Sequence, residues 1–366
     1  MDKVKVGIIG AGNISGIYLE NGNRFDTMEV VAIADIDLVR AEEKANQFNI
    51  KGCSVEQLLA DEEIEMIINL TIPQAHATIN IAALNAGKHV YVEKPFSVTC
   101  EEAIEVLKLA EEKGLYVGSA PDTFLGAAIQ TAVKAIQDGL IGTPVAATAF
   151  MLAGGHEYWH PNPEFYYQVG GGPMFDMGPY YLTALVSMLG PMRRVTGSAN
   201  ISYAERTIRS QPKAGQTIRV EVPTHIAGII DFEAGAMGTI ITSFDTPGGY
   251  NLPRIEIYGS KGTLSVPDPN LFGGEVRINI AGNKEWQVLE QKHSNDKNNR
   301  GLGAADMARA IREQGQHRAS GKLGYHVLEA MHGFHIASQE NRHYMMSSTC
   351  DVPLPLSIGK PEFMLR

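Results

Sequence analysis

The chain has 366 residues, of which 44% are hydrophobic and 20% are charged. This composition is that of an ordinary globular protein, and the length predicts two domains of roughly 150 residues each. The formal net charge is −10 and the Lys and Arg residues are scattered, which leaves no basic surface for a polyanion and argues against nucleic acid as a partner.

The sequence shows no pattern of a membrane span or of an export signal. No apolar run approaches the roughly 18 residues of a membrane span, and the chain enters a strand pattern almost at once, without a signal-peptide pattern. The cysteines, Cys53, Cys100 and Cys350, are far apart, which suits a reducing compartment and gives no zinc spacing. We expect a cytoplasmic protein with a small-molecule substrate and no membrane partner.

The stretch V-K-V-G-I-I-G-A-G-N-I-S-G, residues 4–16, predicts a buried strand, a glycine turn and a helix start. Backbone N–H groups and the positive end of the helix dipole make such a turn a phosphate site, and glycines let a pyrophosphate approach closely. The third position of G-x-G-x-x-G is Ser15, so the match to the strict pattern is imperfect. We predict that four residues of the turn bind a dinucleotide: Gly10, Gly12, Asn13 and Ile14.

A second apolar strand, at about residues 29–34, ends on Asp35. An acid at the tip of the second strand is where the adenosine ribose hydroxyls find an acceptor. A carboxylate also repels a 2′-phosphate, and no Arg stands at position 36 or 37, so the pattern favours NAD over NADP. The alternative is a turn without a ligand, in which Asp35 only caps the next helix.

Strands and helices keep alternating up to about residue 121, which predicts a doubly wound parallel sheet with strand order 3-2-1-4-5-6. In that order the nicotinamide lies over strands one, four and five. The loops after strands four and five, residues 71–76 and 93–95, should therefore border the nicotinamide.

From Pro121 the pattern changes. A helix near residues 125–138 precedes strand-like runs near residues 145–152, 194–202, 217–232, 237–244, 255–258, 276–280 and 286–289, and helix patterns follow near 302–314 and 325–338. Many strands with few intervening helices predict an α+β domain with a large, mostly antiparallel open sheet. We divide the chain into residues 1–121 and 122–366. Helices should cover one face of the sheet, and the other face, with Ile226 and Ile230 as apolar positions, should form a homodimer or homotetramer.

The segment H-E-Y-W-H, residues 156–160, matches the H-E-x-x-H zinc pattern, which requires both histidines one turn apart on a helix. Two glycines precede the segment and P-N-P follows it, which disfavours a long helix and therefore zinc; we predict no metal site. We expect a loop near the substrate, in which Trp159, Phe165 and Tyr166 offer flat apolar faces to a sugar-like ring. His156 and His160 should bind hydroxyls. A packing loop at a subunit interface is the alternative.

Four phrases of the sequence resemble the Gfo/Idh/MocA family of oxidoreductases. They are T-I-P-Q-A-H at residues 71–76, A-A-L-N-A-G-K-H-V-Y-V-E-K-P at 82–95, G-G-G-P-M-F-D-M-G-P-Y-Y at 170–181 and R-I-E-I-Y-G-S-K-G-T-L at 254–264. The resemblance covers nearly the whole chain, and E-K-P is its most diagnostic part. It implies an N-terminal Rossmann domain that binds NAD and a C-terminal domain that binds substrate.

The resemblance also implies roles for the two loops. Lys94 contacts the nicotinamide ribose and the substrate hydroxyl, while the cofactor side is shaped by Thr71, Ile72, Pro73, His76 and Glu93. Oxidation of a carbinol removes a hydride and a proton, so an acid-base group must lie within about 3 Å of the substrate oxygen. A lysine beside the cofactor suits that work, because nearby positive charge and desolvation favour the neutral amine. The alternative is an ordinary surface lysine at a strand end.

Residues 170–181 match the second catalytic stretch of the family, in which many members have Asp followed four residues later by His. Asp176 is present, but the histidine position holds Tyr180. Residues i and i+4 share a helix face, although Pro179 removes a backbone donor between them. Some relatives carry tyrosine in this role, and with a reference pKa near 10 tyrosine suits protonation of an alkoxide or a relay with Lys94. The alternative is Asp176 as a helix-start residue and Tyr180 as core.

The expected function is NAD-dependent hydride transfer to or from a secondary alcohol or ketone of a sugar, cyclitol or related polyol. We expect Lys94, Tyr180 and Asp176 to be catalytic, and His156 and Trp159 to join them in binding substrate. The alternatives are a trans-dihydrodiol type of dehydrogenase and a non-catalytic nucleotide-binding sensor.

Overall fold

A computed structural model describes residues 2–365. Within this range the chain forms two compact units. The first comprises residues 2–127, 292–325 and 353–365, and the second comprises residues 128–291 and 326–352. The predicted division at residue 121 follows chain order alone and stays a prediction.

A six-stranded parallel sheet forms the first unit. Its elements are β1 (Val4–Ile9), α1 (Ser15–Gly22), β2 (Met28–Ala34), α2 (Leu38–Phe48), β3 (Lys51–Cys53), α3 (Val55–Ala60), β4 (Met66–Asn69), α4 (Pro73–Asn85), β5 (His89–Val92), α5 (Cys100–Lys113) and β6 (Val117–Ser119). The strand order is β3-β2-β1-β4-β5-β6, so the predicted doubly wound sheet is confirmed.

Local sequence signals explain several helix starts in this unit. The Asp37 side chain accepts from the Val39 and Arg40 N–H groups at the start of α2. Ser54 and Thr99 each form a capping box with the residue three positions on, at the starts of α3 and α5. These caps fix the residues at which α2, α3 and α5 begin.

A nine-stranded mixed sheet dominates the second half of the chain. The helices and strands of this half of the chain are α6 (Ala127–Gln137), β7 (Pro144–Leu152), α7 (Gly172–Leu189), β8 (Met192–Asn200), β9 (Glu205–Thr207), β10 (Thr217–Arg219), β11 (His225–Phe232), β12 (Met237–Ser243), β13 (Ile255–Gly259), β14 (Gly262–Val266), β15 (Arg277–Ile280), β16 (Gln287–Val288), α8 (Leu302–Glu313), α9 (Gly321–Glu340) and β17 (Tyr344–Met345). The strand order is β16-β15-β14-β13-β7-β12-β11-β8-β17. Only the β7–β12 pair is parallel among its pairings within residues 2–365, so the mostly antiparallel sheet is confirmed.

The prediction of one long strand over residues 217–232 is wrong. The structure has β10 and β11 instead, separated by a segment that contains Pro223, and β10 pairs with β9 in a separate two-stranded sheet. Proline has no N–H for a ladder hydrogen bond, which explains the break.

One face of the large sheet is covered by helices of the same unit. Helix α7 contacts β7, β11 and β12, and Phe334 of α9 packs against Gly228. Ile226 and Ile230 lie on this covered face and are fully buried within the single chain, so the expectation that they face a partner is wrong. Alternation along β11 puts Ile229 on the opposite face, where it is 49% exposed.

Part of the C-terminal segment belongs to the first unit. Helix α8 contacts β1, β2 and β6, and the Asp122 carboxylate accepts from the N–H groups of Gly301 and Gly303 just before and within α8. In residues 2–365, every helix is too short or too polar to cross a lipid bilayer.

Candidate active site

The turn after β1 requires a glycine at position 10, whereas a side chain at position 12 would enter open space. Gly10 has φ of +109°, and a Cβ there would lie 2.6 Å from the carbonyl carbon and oxygen of Leu70. A Cβ on Gly12 would meet no atom within 4 Å, in the part of the chain that the structure describes. Gly10 therefore serves the fold, and Gly12 leaves the space into which a pyrophosphate can approach the backbone.

Helix α1 begins at Ser15, within the glycine-rich stretch that predicts a helix start. Ile14 is its N-cap residue and provides no side-chain cap, while the Ser15 hydroxyl donates to the Gly12 carbonyl at 2.7 Å. The first N–H groups of a helix need acceptors, and an anion can supply them. The geometry of this turn fits the predicted phosphate site.

Asp35 connects the end of β2 to the glycine turn. Its Oδ2 accepts from the Ala11 N–H at 2.7 Å, and its Oδ1 accepts from the Asp37 N–H at 2.9 Å. Arg40, on the first turn of α2, lies 3.6 Å from Oδ1. The sequence interpretation considered positions 36 and 37 only, and so missed this guanidinium.

Two isoleucines are exposed at the carboxyl edge of the parallel sheet. Ile36, directly after Asp35, is 99% exposed, and Ile72, at the N-cap of α4, is 66% exposed. An exposed apolar side chain at the adenosine end and another at the nicotinamide end suit contact with the two flat rings of a dinucleotide. Sequence reasoning did not identify Ile36.

The loop after β4 is held together by buried polar groups. Asn69 Oδ1 accepts from both the backbone N–H and the hydroxyl of Thr71, and its Nδ2 donates to the Asn80 side chain. Helix α4 begins at Pro73, so His76 lies inside its first turn. Thr71, Ile72 and Pro73 are thus fixed at the helix start, as a border for a ligand requires.

His76 is buried and joins the loops after β4 and β5. Its Nδ1 lies 2.7 Å from the Pro95 carbonyl oxygen and its Nε2 lies 3.1 Å from that of Thr71. Burial lowers the pKa of His76, although the two carbonyl contacts act in the opposite direction. The neutral ring has one proton for two acceptors, and we assign it to Nδ1, where the distance is shorter. His76 therefore holds the loops after β4 and β5 in a fixed relative orientation.

Lys94 follows β5 and precedes a cis peptide bond to Pro95. Its backbone N–H donates to Glu93 Oε2 at 2.9 Å, and Glu93 Oε1 accepts from the Tyr18 hydroxyl at 2.8 Å. The backbone on both sides of Lys94 is thus held by side chains, Glu93 on one side and His76 on the other. Tyr18 had not been identified from the sequence, because nothing in the local pattern links α1 to the E-K-P phrase.

In the second unit, α7 carries Asp176 and Tyr180 one turn apart. The helix continues through Pro179, so the predicted shared face is kept. The Asp176 side chain is 14% exposed and Tyr180 is 8% exposed. The structure therefore supports either alternative for Tyr180, a buried packing residue or a proton donor in an enclosed site.

His156 lies beside Asp176, with Nε2 3.3 Å from Oδ2. Its ring stacks on Tyr166 at a centroid distance of 3.7 Å and packs against Trp159 at 5.3 Å. Trp159 itself is 63% exposed. His156 and Trp159, which were predicted to bind substrate, thus contact each other, and His156 lies beside Asp176. Tyr166 stacks on the ring of His156 in this cluster.

The glutamate of H-E-x-x-H, Glu157, forms buried polar contacts. Glu157 is buried, accepts from Arg206 at 2.7 Å and also accepts from the Tyr167 hydroxyl. Arg206 in turn pairs with Asp245. Residues 156–158 form a single 3-10 turn, so the α-helical spacing of a zinc site is not formed.

In the first unit, the open position at Gly12, the uncapped start of α1, Asp35 and the loops after β4 and β5 fit a dinucleotide along one sheet edge. A parallel sheet of this order with those groups at its carboxyl edge defines a nucleotide-binding domain of the Rossmann class.

The comparisons with known proteins extend this conclusion. Residues 4–120 match the NAD-binding Rossmann domain of the Gfo/Idh/MocA oxidoreductase family, and residues 129–265 match a C-terminal domain of the same family. The chain belongs to the Gfo/Idh/MocA family, and the resemblance and the NAD-binding domain are confirmed.

Two relatives and one solved structure show 20% to 27% sequence identity to this chain. The chain is 27% identical over 264 residues to the 1,5-anhydro-D-fructose reductase of Ensifer adhaerens, covering 70% of this chain and 74% of the relative. It is 24% identical over 266 residues to the myo-inositol 2-dehydrogenase of Thermotoga maritima, covering 71% and 74%. A levoglucosan dehydrogenase in complex with NADH superposes with a TM-score of 0.82 at 20% identity, covering 95% of this chain and 100% of that one. That last likeness supports the fold.

Proposed function

We propose that the protein is an NAD-dependent oxidoreductase that acts on a secondary alcohol or ketone of a sugar, cyclitol or related polyol. One observation carries the proposal. Lys94 stands at the carboxyl end of β5 in an NAD-binding domain, with its backbone held by Glu93 and with Pro95 held by His76. Such fixed placement suits an acid-base residue better than a surface lysine.

In this proposal Lys94 accepts the hydroxyl proton when the substrate is oxidised and returns it on reduction. Bound NAD supplies the hydride acceptor. The turn residues Gly10, Gly12, Asn13 and Ile14 hold the pyrophosphate, and Asp35 receives the adenosine ribose. The nicotinamide end is bordered by Thr71, Ile72, Pro73, His76 and Glu93.

The second unit supplies substrate recognition. Asp176 and His156 form a polar pair that can bind neighbouring hydroxyl groups, and Trp159 offers an exposed aromatic face for a sugar ring. Tyr180 serves as a proton donor to an alkoxide. The relatives named for anhydrofructose and myo-inositol support a polyol as the substrate class.

A trans-dihydrodiol is the second candidate substrate. The observation that favours it is the aromatic cluster around His156, in which Phe165 and Tyr166 pack with centroids 4.0 Å apart and planes tilted by 32°, and Trp159 is exposed. Aromatic walls bind a planar ring more readily than a hydroxyl-rich one.

A substrate screen tests both candidates. Sugars, inositols and trans-dihydrodiols are incubated with NAD or NADP, and the change in NADH or NADPH absorbance is followed. We expect turnover with at least one polyol and NAD, and loss of that turnover in Lys94→Ala. Tight NAD binding without turnover on any compound would instead support a nucleotide-binding sensor.

We also propose a homodimer or homotetramer formed through the exposed face of the large sheet. Ile229 and Met237 are 49% and 57% exposed there, and a neighbouring copy can cover them. Sedimentation at micromolar concentration measures the assembly, and a stable monomer would contradict it. The cytoplasmic location stays a prediction.

A further inference from the structure

Tyr18 connects the nucleotide-binding helix to the predicted acid-base loop. It lies on α1, directly after the glycine turn, and its side chain is 1% exposed. Its hydroxyl donates to Glu93 Oε1 at 2.8 Å. A residue 75 positions away in sequence thus holds one oxygen of the carboxylate beside Lys94.

The other oxygen of Glu93 holds Lys94 itself. Glu93 Oε2 accepts from the Lys94 backbone N–H at 2.9 Å. On the far side of the next peptide bond, the Pro95 carbonyl oxygen lies 2.7 Å from His76 Nδ1. With the Tyr18 bond in place, Glu93 keeps one orientation, and the lysine backbone follows it.

The charges around Tyr18 fix the direction of its hydrogen bond. Burial and the negative charge of Glu93 raise the pKa of Tyr18 well above its usual range, so the hydroxyl keeps its proton and donates. A second carboxyl lies close by. Asp122 is buried, and burial raises its pKa to about 6 even though the Gly301 and Gly303 N–H groups favour its charged form. Tyr18 is therefore a neutral hydrogen-bond donor to Glu93.

We propose that Tyr18 is a positioning residue for the reaction, which holds Glu93 and, through it, the backbone of Lys94. The inference rests on the proposed role of Lys94 as the acid-base residue. Turnover depends on the position of such a group to within about 1 Å, whereas ground-state binding depends on it much less. The hydroxyl of Tyr18 should therefore contribute to kcat more than to KM.

The test removes only that hydroxyl. In Tyr18→Phe we expect kcat to fall about 10- to 100-fold, the range equivalent to a lost hydrogen bond to a charged group, while KM and the Kd for NAD change less than about threefold. Tyr116→Phe is the matched control in the same unit. The Tyr116 hydroxyl donates to the Gly315 carbonyl oxygen at 3.0 Å, away from the E-K-P phrase, so turnover should stay normal.

A double variant separates positioning from general stability. If Tyr18 acts through Lys94, Tyr18→Phe should cause no further loss of turnover in a Lys94→Ala background. Full additivity of the two losses would overturn the proposal, and so would normal kcat in Tyr18→Phe alone. Should Tyr18→Phe fold poorly, Glu93→Gln gives the same comparison, because the amide keeps the shape of the side chain and removes its charge.

A spectroscopic measurement keeps this test separate from that of the proposed function. Lysines are labelled with ¹³C-methyl groups by reductive methylation, and the Lys94 signal is assigned by its loss in Lys94→Ala. Tyr18→Phe should shift that signal and Tyr116→Phe should not. An unmoved signal overturns the positioning role even in an active enzyme. A shifted signal in a protein without turnover on any polyol supports the positioning role while the proposed function fails.

Discussion

The Lys94 loop of the first unit and the His156 segment of the second unit are held in place in different ways. The first is held by hydrogen bonds that involve the backbone, between loops at adjacent strand ends of one parallel sheet. The second is held by contacts between side chains, in which His156 meets Asp176 and Tyr166, and Glu157 meets Arg206. A strand-end loop is placed by the fold class, whereas a side-chain cluster depends on the particular residues that meet there.

The difference predicts where substitutions act. In the first region the Lys94 side chain can be removed while Glu93 and His76 still hold the backbone around it, so effects on chemistry and on stability separate. In the second region the same residues serve packing and polar contact, so the two effects overlap.

The largest expected effect is that of Lys94→Ala on turnover. Loss of an acid-base group typically costs about 10² to 10⁴ in rate, and the NAD affinity should change much less. Steady-state kinetics with one accepted substrate and NAD titration measure the two quantities. Lys134→Ala removes a surface lysine that pairs with Asp138, and serves as the control.

Tyr180→Phe, assayed with the same substrate as Lys94→Ala, tests whether Tyr180 contributes to proton transfer. A larger loss in Tyr180→Phe than in Lys94→Ala would make the tyrosine the direct proton donor. Near-normal turnover in both variants would mean that the site is placed wrongly.

Glu157→Ala should cost stability, because it breaks a buried ion pair. The exposed side-chain fractions of Glu157 and Arg206 are 6% and 7%, and removing one partner of such a pair costs about 3–5 kcal/mol. Urea unfolding followed by circular dichroism measures the change in the free energy of unfolding. Glu164→Ala breaks the pair with Lys213, whose members are 33% and 30% exposed, and should cost no more than about 1 kcal/mol. Equal costs would show that burial is not what distinguishes the two pairs.

Gly10→Ala and Gly12→Ala should separate fold from binding within the first region. Ala at Gly10 must adopt positive φ and approach the Leu70 carbonyl, which costs about 1–3 kcal/mol from the backbone conformation alone. Ala at Gly12 enters open space, so the free energy of unfolding should change by less than about 0.5 kcal/mol. The NAD affinity of Gly12→Ala should nevertheless fall about tenfold, as calorimetric titration measures. Unchanged NAD affinity would place the pyrophosphate elsewhere.

The last expected effect concerns cofactor choice. Asp35→Ser removes the carboxylate that repels a 2′-phosphate and leaves Arg40 beside the site. The ratio of NADP to NAD affinity should rise about 10- to 100-fold, the range of one charge-assisted hydrogen bond. Adding Arg40→Ala should reverse most of that gain. Tighter binding of NADP than NAD by the unaltered protein would contradict the assigned preference.

The sequence alone determined the first unit in most respects. Strand order, the glycine turn, the acid at the tip of β2 and the loops after β4 and β5 all follow from hydrophobic periodicity and turn residues, which are local signals. The E-K-P and G-G-G-P-M-F-D phrases then indicated the family. Even in this unit two residues were not identified from the sequence. Arg40 on α2 lies beside Asp35, and Tyr18 on α1 donates a hydrogen bond to Glu93.

Tertiary structure decided the rest, because contacts between residues distant in sequence leave no local pattern. The covering of Ile226 and Ile230 by the unit's own helices could not be read from the alternation of β11, which shows that one face is apolar but not what covers it. The meeting of His156 with Asp176 and of Glu157 with Arg206 likewise depends on how loops pack onto α7 and the sheet. Periodicity fixes which side of an element faces the core, and only the packed chain fixes which side chains meet there.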